Sequence, residues 1–240
     1  RQLVMRLRST EPVEQVYTIP PPAHGGEDSE ILTAANLNVD PLIAVINAPA
    51  ERLAEQARDI QSTLSALRRP DGGPAGSIAV IAIDAVEQAA ILTANIAVSA
   101  ALSGLRTLIV DMEHSNFIQH RLLNMSPRRA RPEELEEPFA FVQPTNIRSL
   151  FVLAAPLQEG CTADGNPLPP LAERLAAISG HFDLCLVDAS HVADLAHAAG
   201  SADCAIVAVQ RDETSTSELK AAIHKMTMLN TALIGTIMLV

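Results

Sequence analysis

From Ser77 to Val240 the sequence alternates short apolar runs with longer segments of helical spacing, an order that few folds accommodate. SIAVIAI (77–83) is a continuous apolar run of strand length, the kind buried on both faces of a parallel sheet. The stretch 89–104 has helix-forming composition and ends in Gly104, a residue suited to a helix C-terminus. TLIVD (107–111) and FDLCLVDAS (182–190) predict strands that carry Asp111 and Asp188 at or near their carboxyl ends. Further strands are predicted over 149–155, 204–210 and 232–240, with helices over 168–180 and 217–230. The expected fold is therefore α/β: a doubly wound, mostly parallel sheet flanked by helices, its ligands at the carboxyl ends of the strands.

Upstream, the segment 50–69 places Leu53, Ala57, Ile60, Leu64 and Leu67 at three- and four-residue spacings with charges between them. That pattern predicts an amphipathic helix, stopped by DGGPAG at 71–76. Residues 1–40 mix Pro20, Pro21 and Pro22 with Gly25, Gly26 and scattered acids, and are expected to form a flexible arm ahead of one α/β domain over 41–240. The charged stretch 125–138, MSPRRARPEELEEP, reads as a solvated loop or short helix.

Composition narrows the function. A net charge of -11, from 28 acidic and 17 basic residues, repels a phosphate backbone, so nucleic acid is not an expected partner. Cys161, Cys185 and Cys204 lie far apart and are read as small buried apolar residues of a reducing compartment, not as disulfide or zinc ligands. No apolar run approaches the ~20 residues that span a bilayer, and the first ten residues are too short and too rich in arginine for a signal peptide. His114, His120, His191 and His197 lack HxH or HExxH spacing; they are expected as satisfied surface or loop histidines, and no metal site is assigned.

Three motifs in order then carry a resemblance. Val80 lies in the first strand and Thr93-Ala94-Asn95-Ile96-Ala97 in the following helix; Ala85-Val86-Glu87-Gln88-Ala89-Ala90-Ile91 lies between them. Arg106–Glu113 ends in Asp111 and Glu113 and runs on to His120-Arg121-Leu122-Leu123. Phe182–Asp188 closes the set. Over residues 50 to 240 this resembles the deviant-Walker P-loop ATPases of the MinD/ParA type. It is most similar to the cytoplasmic kinase domain of bacterial tyrosine kinases that accompany exopolysaccharide chain-length regulators. There the loop is of the type PGEGKST, the second motif is RVLLIDAD and the third is YDxxxxD.

In such a loop, glycines let backbone N–H groups turn toward the phosphates, a lysine neutralises them and a hydroxyl holds magnesium. Val86 and Gln88 stand in place of the glycines, Ala89 in place of the lysine, and Ala90 and Ile91 in place of the hydroxyls. Losing these contacts costs several kcal/mol at order of magnitude, enough to move micromolar ATP binding to millimolar. The residues Val86, Glu87, Gln88, Ala89, Ala90 and Ile91 are thus expected to be a degenerate nucleotide loop. In active relatives the acids matching Asp111, Glu113 and Asp188 organise magnesium; here they are expected to be vestigial, with no cofactor unless the loop still takes ATP and magnesium.

The resemblance further implies a subunit-contact helix with a Glu-x-x-Arg-x-x-Arg pattern, matched here by Glu55, Arg58 and Gln61, and hence a possible homo-oligomer. It also implies a tyrosine cluster after the last strand, whereas no tyrosine follows Tyr17. The expected role is that of a pseudokinase or pseudo-ATPase in exopolysaccharide biosynthesis or export. It would bind an inner-membrane polysaccharide co-polymerase or a kinase paralogue at the cytoplasmic face of the inner membrane. The alternatives are a MinD-like organiser of pilus, flagellum or division-site position, and an atypical ATPase that borrows a lysine from another subunit.

Overall fold

A computed structural model describes residues 37–67, 76–113, 116–128, 139, 141–154, 170–190, 202–229 and 231–239. The predicted arm, except for its last residues, lies outside this set, as do His114, His191, His197, Cys161 and positions 129–138 of the charged stretch. In chain order the elements are α1 (Ala44–Asn47), α2 (Arg52–Ala66), β1 (Ser77–Ala82), α3 (Val86–Leu102), β2 (Thr107–Asp111) and α4 (Ile118–Leu122). They continue with β3 (Val142–Pro144), β4 (Leu150–Ala154), α5 (Leu171–Ser179), β5 (Leu184–Ala189), β6 (Cys204–Gln210), α6 (Thr216–Met228) and β7 (Ala232–Leu239).

The seven strands form one sheet in the order β3-β4-β2-β5-β1-β6-β7. Only β3 runs antiparallel to its neighbour. That short strand is absent from the sequence-based expectation because VQP carries no apolar run to announce it. The central strands β1, β2 and β5 are buried along their whole length, which is why they read as unbroken apolar runs. Their side chains alternate between two cores. Ile78, Ile109, Leu184 and Leu186 meet α2, α3 and α4 on one face; Ala79, Ile81, Leu108, Val110 and Val187 meet α5 and α6 on the other. The sheet is thus covered on both sides, as a doubly wound topology requires.

Helix α2 buries Ala54, Ala57 and Leu64, in line with its amphipathic spacing. Helix α3 is almost wholly buried, apolar nearly all round, and ends in a Schellman motif. Gly104 takes φ +89°, its N–H donates to Ala101 O at 2.9 Å, and the Leu105 N–H donates to Ala100 O at 3.0 Å. Helix α6 opens with a capping box between Ser215 and Glu218. Cys185 and Cys204 are buried, and desolvation, reinforced by Asp203, pushes both thiols up to about 12, so they are inert packing groups.

A buried polar residue ties the N-terminal segment to this body. Asn95, fully buried on α3, accepts from the Val45 N–H at 3.0 Å and donates to Leu42 O at 3.0 Å and Ile91 O at 2.9 Å. Alongside it, the Asp40 N–H donates to Leu122 O at 2.9 Å. Replacing Asn95 with alanine leaves the Val45 N–H buried and unpaired, and is expected to lower the unfolding free energy by about 2 kcal/mol in urea titrations.

Candidate functional site

The carboxyl ends of β1, β2 and β5 are neighbours, and the register makes Asp111 and Asp188 direct partners across β2 and β5. The connection that should cradle phosphates leaves β1 beside them. It is only three residues long, Ile83, Asp84 and Ala85, before α3 starts at Val86. The helix therefore begins three residues earlier than the composition of 89–104 predicts. Without glycines to hold a loop open, Val86, Glu87 and Gln88 join the first turn, and the Ala89 N–H donates to Ala85 O at 3.0 Å. Ala85 absorbs the turn in the left-handed region, φ 48° and ψ 44°, where a Cβ is unfavourable.

Val86 to Ile91 are thus helix rather than loop, with Glu87 and Gln88 exposed and Ala89 and Ala90 fully buried. A helix start normally attracts anions. Here two acids, Asp84 and Glu87, flank it and satisfy that field in advance. The Asp84 Oδ2 is buried without a hydrogen-bond partner among the described residues, a position unfavourable to further negative charge. The only lysines of the sequence, Lys220 and Lys225, sit on α6. Glu87 pairs with Arg121 at 3.2 Å, but both side chains are more than half exposed and the pair adds little.

The acid pair behind the loop is held by its own chain. Asp188 accepts from the Ser190 N–H at 3.2 Å and from the Ser190 hydroxyl on Oδ1, and from the Gln119 side-chain amide at 2.6 Å on Oδ2. Asp111 accepts from the Glu113 N–H at 3.1 Å on Oδ1 and from the Gln119 N–H at 3.0 Å on Oδ2. The same Oδ2 lies 3.1 Å from His120 Nδ1. Burial, and then the Asp111 charge, push the Asp188 carboxyl up to about 6, while the Ser190 and Gln119 hydrogen bonds pull the other way.

Of the residues singled out by sequence, Asp111 and Asp188 meet, whereas Glu113 lies two residues past β2 and contributes its backbone N–H. Among the described residues no three His, Cys, Asp or Glu side chains are grouped to share a metal ion. His120 corrects the expectation of a surface or loop histidine: it is fully buried on α4, because that helix packs over the acid pair. On α2, Arg58 donates to Pro49 O at 2.7 Å and Gln61 to Ser65 Oγ at 2.9 Å. Glu55 lines a groove of about 440 Å³ with Arg52, Gln56, Asp59 and Met238.

The sequence reading passed over Asp84 and Gln119 and gave His120 no place at the site. Asp84 stood inside the motif window as an unremarked acid, and Gln119 and His120 sit eight and nine residues past Asp111, a spacing without meaning until α4 folds back. Among the described residues no helix is long and apolar enough to cross a membrane.

No protein-family model and no curated protein sequence matches the chain. Solved structures do share its fold. The kinase domain of Escherichia coli tyrosine kinase ETK superposes with a TM-score of 0.65 at 18% identity, over 82% of this chain and 79% of that one. The BceF tyrosine kinase domain gives 0.62 at 18% identity, over 82% and 81%. The MinD cell division protein of Aquifex aeolicus gives 0.52 at 22% identity, over 68% and 69%. The architecture is therefore that of the P-loop NTPase fold in its MinD/ParA form, as the three motifs implied, and the tyrosine kinase domains share it over most of their length.

The raised carboxyl of Asp188 makes stability depend on pH. Its folded form binds the proton more tightly than the unfolded chain, whose ordinary value is 3.8, so its contribution is full below about 4 and is lost as the pH rises through about 6. Asp188→Asn is expected to flatten that fall between pH 4 and about 6 in melting temperatures recorded against pH.

Proposed function

We propose that this chain is a non-catalytic, tyrosine-kinase-like component of exopolysaccharide biosynthesis or export. It acts by binding a membrane polysaccharide co-polymerase or a kinase paralogue at the inner face of the inner membrane. The observation that carries the reading is the junction at Ile83, Asp84 and Ala85, three residues followed at once by helix. Phosphate binding needs backbone amides turned inward and a cation beside them. This junction supplies instead a side chain at every position and an acid at its centre.

ATP and magnesium fit the residues poorly on the same grounds. Ala89 brings no ammonium and Ala90 no hydroxyl, and both are fully buried. Every oxygen of the Walker-type acids already accepts a hydrogen bond from Ser190, Gln119 or Glu113, and His120 Nδ1 lies 3.1 Å from Asp111. What remains for binding is the surface of the α/β body, where Leu102, Met228 and Met238 are exposed among the described residues. Resemblance to the kinase domains supplies the partner class: a co-polymerase of the membrane or a catalytic relative.

Calorimetric titration with MgATP tests the reading. No heat of binding is expected through the low-micromolar range, and a Kd there would contradict it. In parallel, the purified chain is expected to bind a membrane polysaccharide co-polymerase or a kinase paralogue, measured by co-sedimentation with co-polymerase-containing membranes and by direct titration with the purified kinase.

A further inference from the structure

Helix α4 lies over the acid pair and meets it with two consecutive side chains. Gln119 is fully buried and touches both carboxylates, Asp111 through its backbone N–H and Asp188 through its side-chain amide. The second amide hydrogen goes to Ala90 O at 2.9 Å. The Gln119 nitrogen therefore stands between Asp188 and the helix position where the resembling loop would carry its magnesium-holding hydroxyl. Turning the amide round would set its oxygen against the Asp188 carboxylate and the Ala90 carbonyl, both acceptors, so the orientation is fixed. Its Oε1 is left buried and without a partner among the described residues.

His120 completes the arrangement. Its Nδ1 faces Asp111 Oδ2 and its Nε2 faces Gln143 Oε1 at 3.3 Å. The Gln143 amide is oriented by its own partners, since Oε1 accepts from the Arg128 N–H at 2.8 Å and Nε2 donates to Ser126 O at 3.1 Å. The ring is thus held between Asp111 and Gln143, with an oxygen facing each of its nitrogens. A buried carboxylate pair needs compensating donors or charge. All four carboxylate oxygens have one from this chain.

From this geometry we infer that Gln119 and His120 occupy the crevice between Asp111 and Asp188 in place of a divalent cation, so that magnesium or manganese has no place there. The inference deepens the non-catalytic reading and rests on it for the assignment of the crevice. It can nevertheless fail separately, because it concerns metal alone and not nucleotide. Hard divalent cations bind through free oxygen lone pairs and require four to six more ligands around them. Here a cation must first expel the amide that bridges Asp188 and Ala90.

Manganese(II) alone, followed by electron paramagnetic resonance, tests the inference. The wild-type chain is expected to leave the free-ion signal undiminished up to about 1 mM metal. The double variant Gln119→Ala/His120→Ala, checked for folding by circular dichroism, is expected to bind at least about tenfold more tightly than wild type, with the gain removed by adding Asp188→Asn. Stoichiometric binding by the wild type that is lost in Asp188→Asn would overturn the inference, and so would a folded double variant that gains nothing. Should the double variant not fold, nuclear magnetic resonance of the wild type decides. Unbroadened Gln119 amide and His120 ring signals in the presence of manganese uphold the inference, and selective broadening of them overturns it. A nucleotide that bound through the loop would defeat the proposed function while leaving this outcome to the metal titration.

Discussion

Two carboxylates at matching positions on adjacent buried strands are the constraint around which this end of the molecule is built. Asp111 and Asp188 are direct register partners with almost no access to solvent, and their mutual repulsion must be met from within. In a nucleotide-binding relative of this fold, a metal and its phosphates would share that task. Here Ser190 and Glu113 meet the outer oxygens, and α4 folds down to bring Gln119 and His120 to the inner ones. The placement of α4 follows from this need as much as from its apolar contacts through Ile118 and Leu122.

The first turn of α3 follows a parallel logic. Glycines at such a junction keep a loop open by lacking a Cβ and by disfavouring helix. With Val86 and Gln88 in their place the helix extends back to Ala85, whose left-handed backbone takes the whole change of direction. The amides that would face a phosphate become the ordinary start of a helix, flanked by Asp84 and Glu87. The helical first turn of α3 and the hydrogen bonds that α4 makes to the acid pair thus lie on separate elements.

Much of the architecture was legible in the sequence because a doubly wound sheet writes itself strongly. The segments predicted as strands at 77–83, 107–111 and 182–190 contain the buried strands β1, β2 and β5, and Gly104 ends α3 where a glycine should. Strand β3 was not legible, since three residues with a proline leave no periodic signal. At the site, Asp111 and Asp188 could be paired in advance because strand ends in a parallel sheet converge. The junction was misjudged by one turn of helix, since composition fixes the existence of an element better than its first residue. Gln119 and His120 were beyond reach: their role depends on a five-residue helix crossing back over the sheet, and no local pattern encodes that return.

The central claim is that a junction made of side chains and an acid does not hold a diphosphate. A crystal structure grown with ADP and magnesium tests it most directly. The account predicts residues 84 to 91 unchanged, helical from Val86, with no nucleotide beside them and Gln119 still joined to Asp188. Density for a diphosphate wrapped by those residues, with α3 unwound at its start, would contradict it.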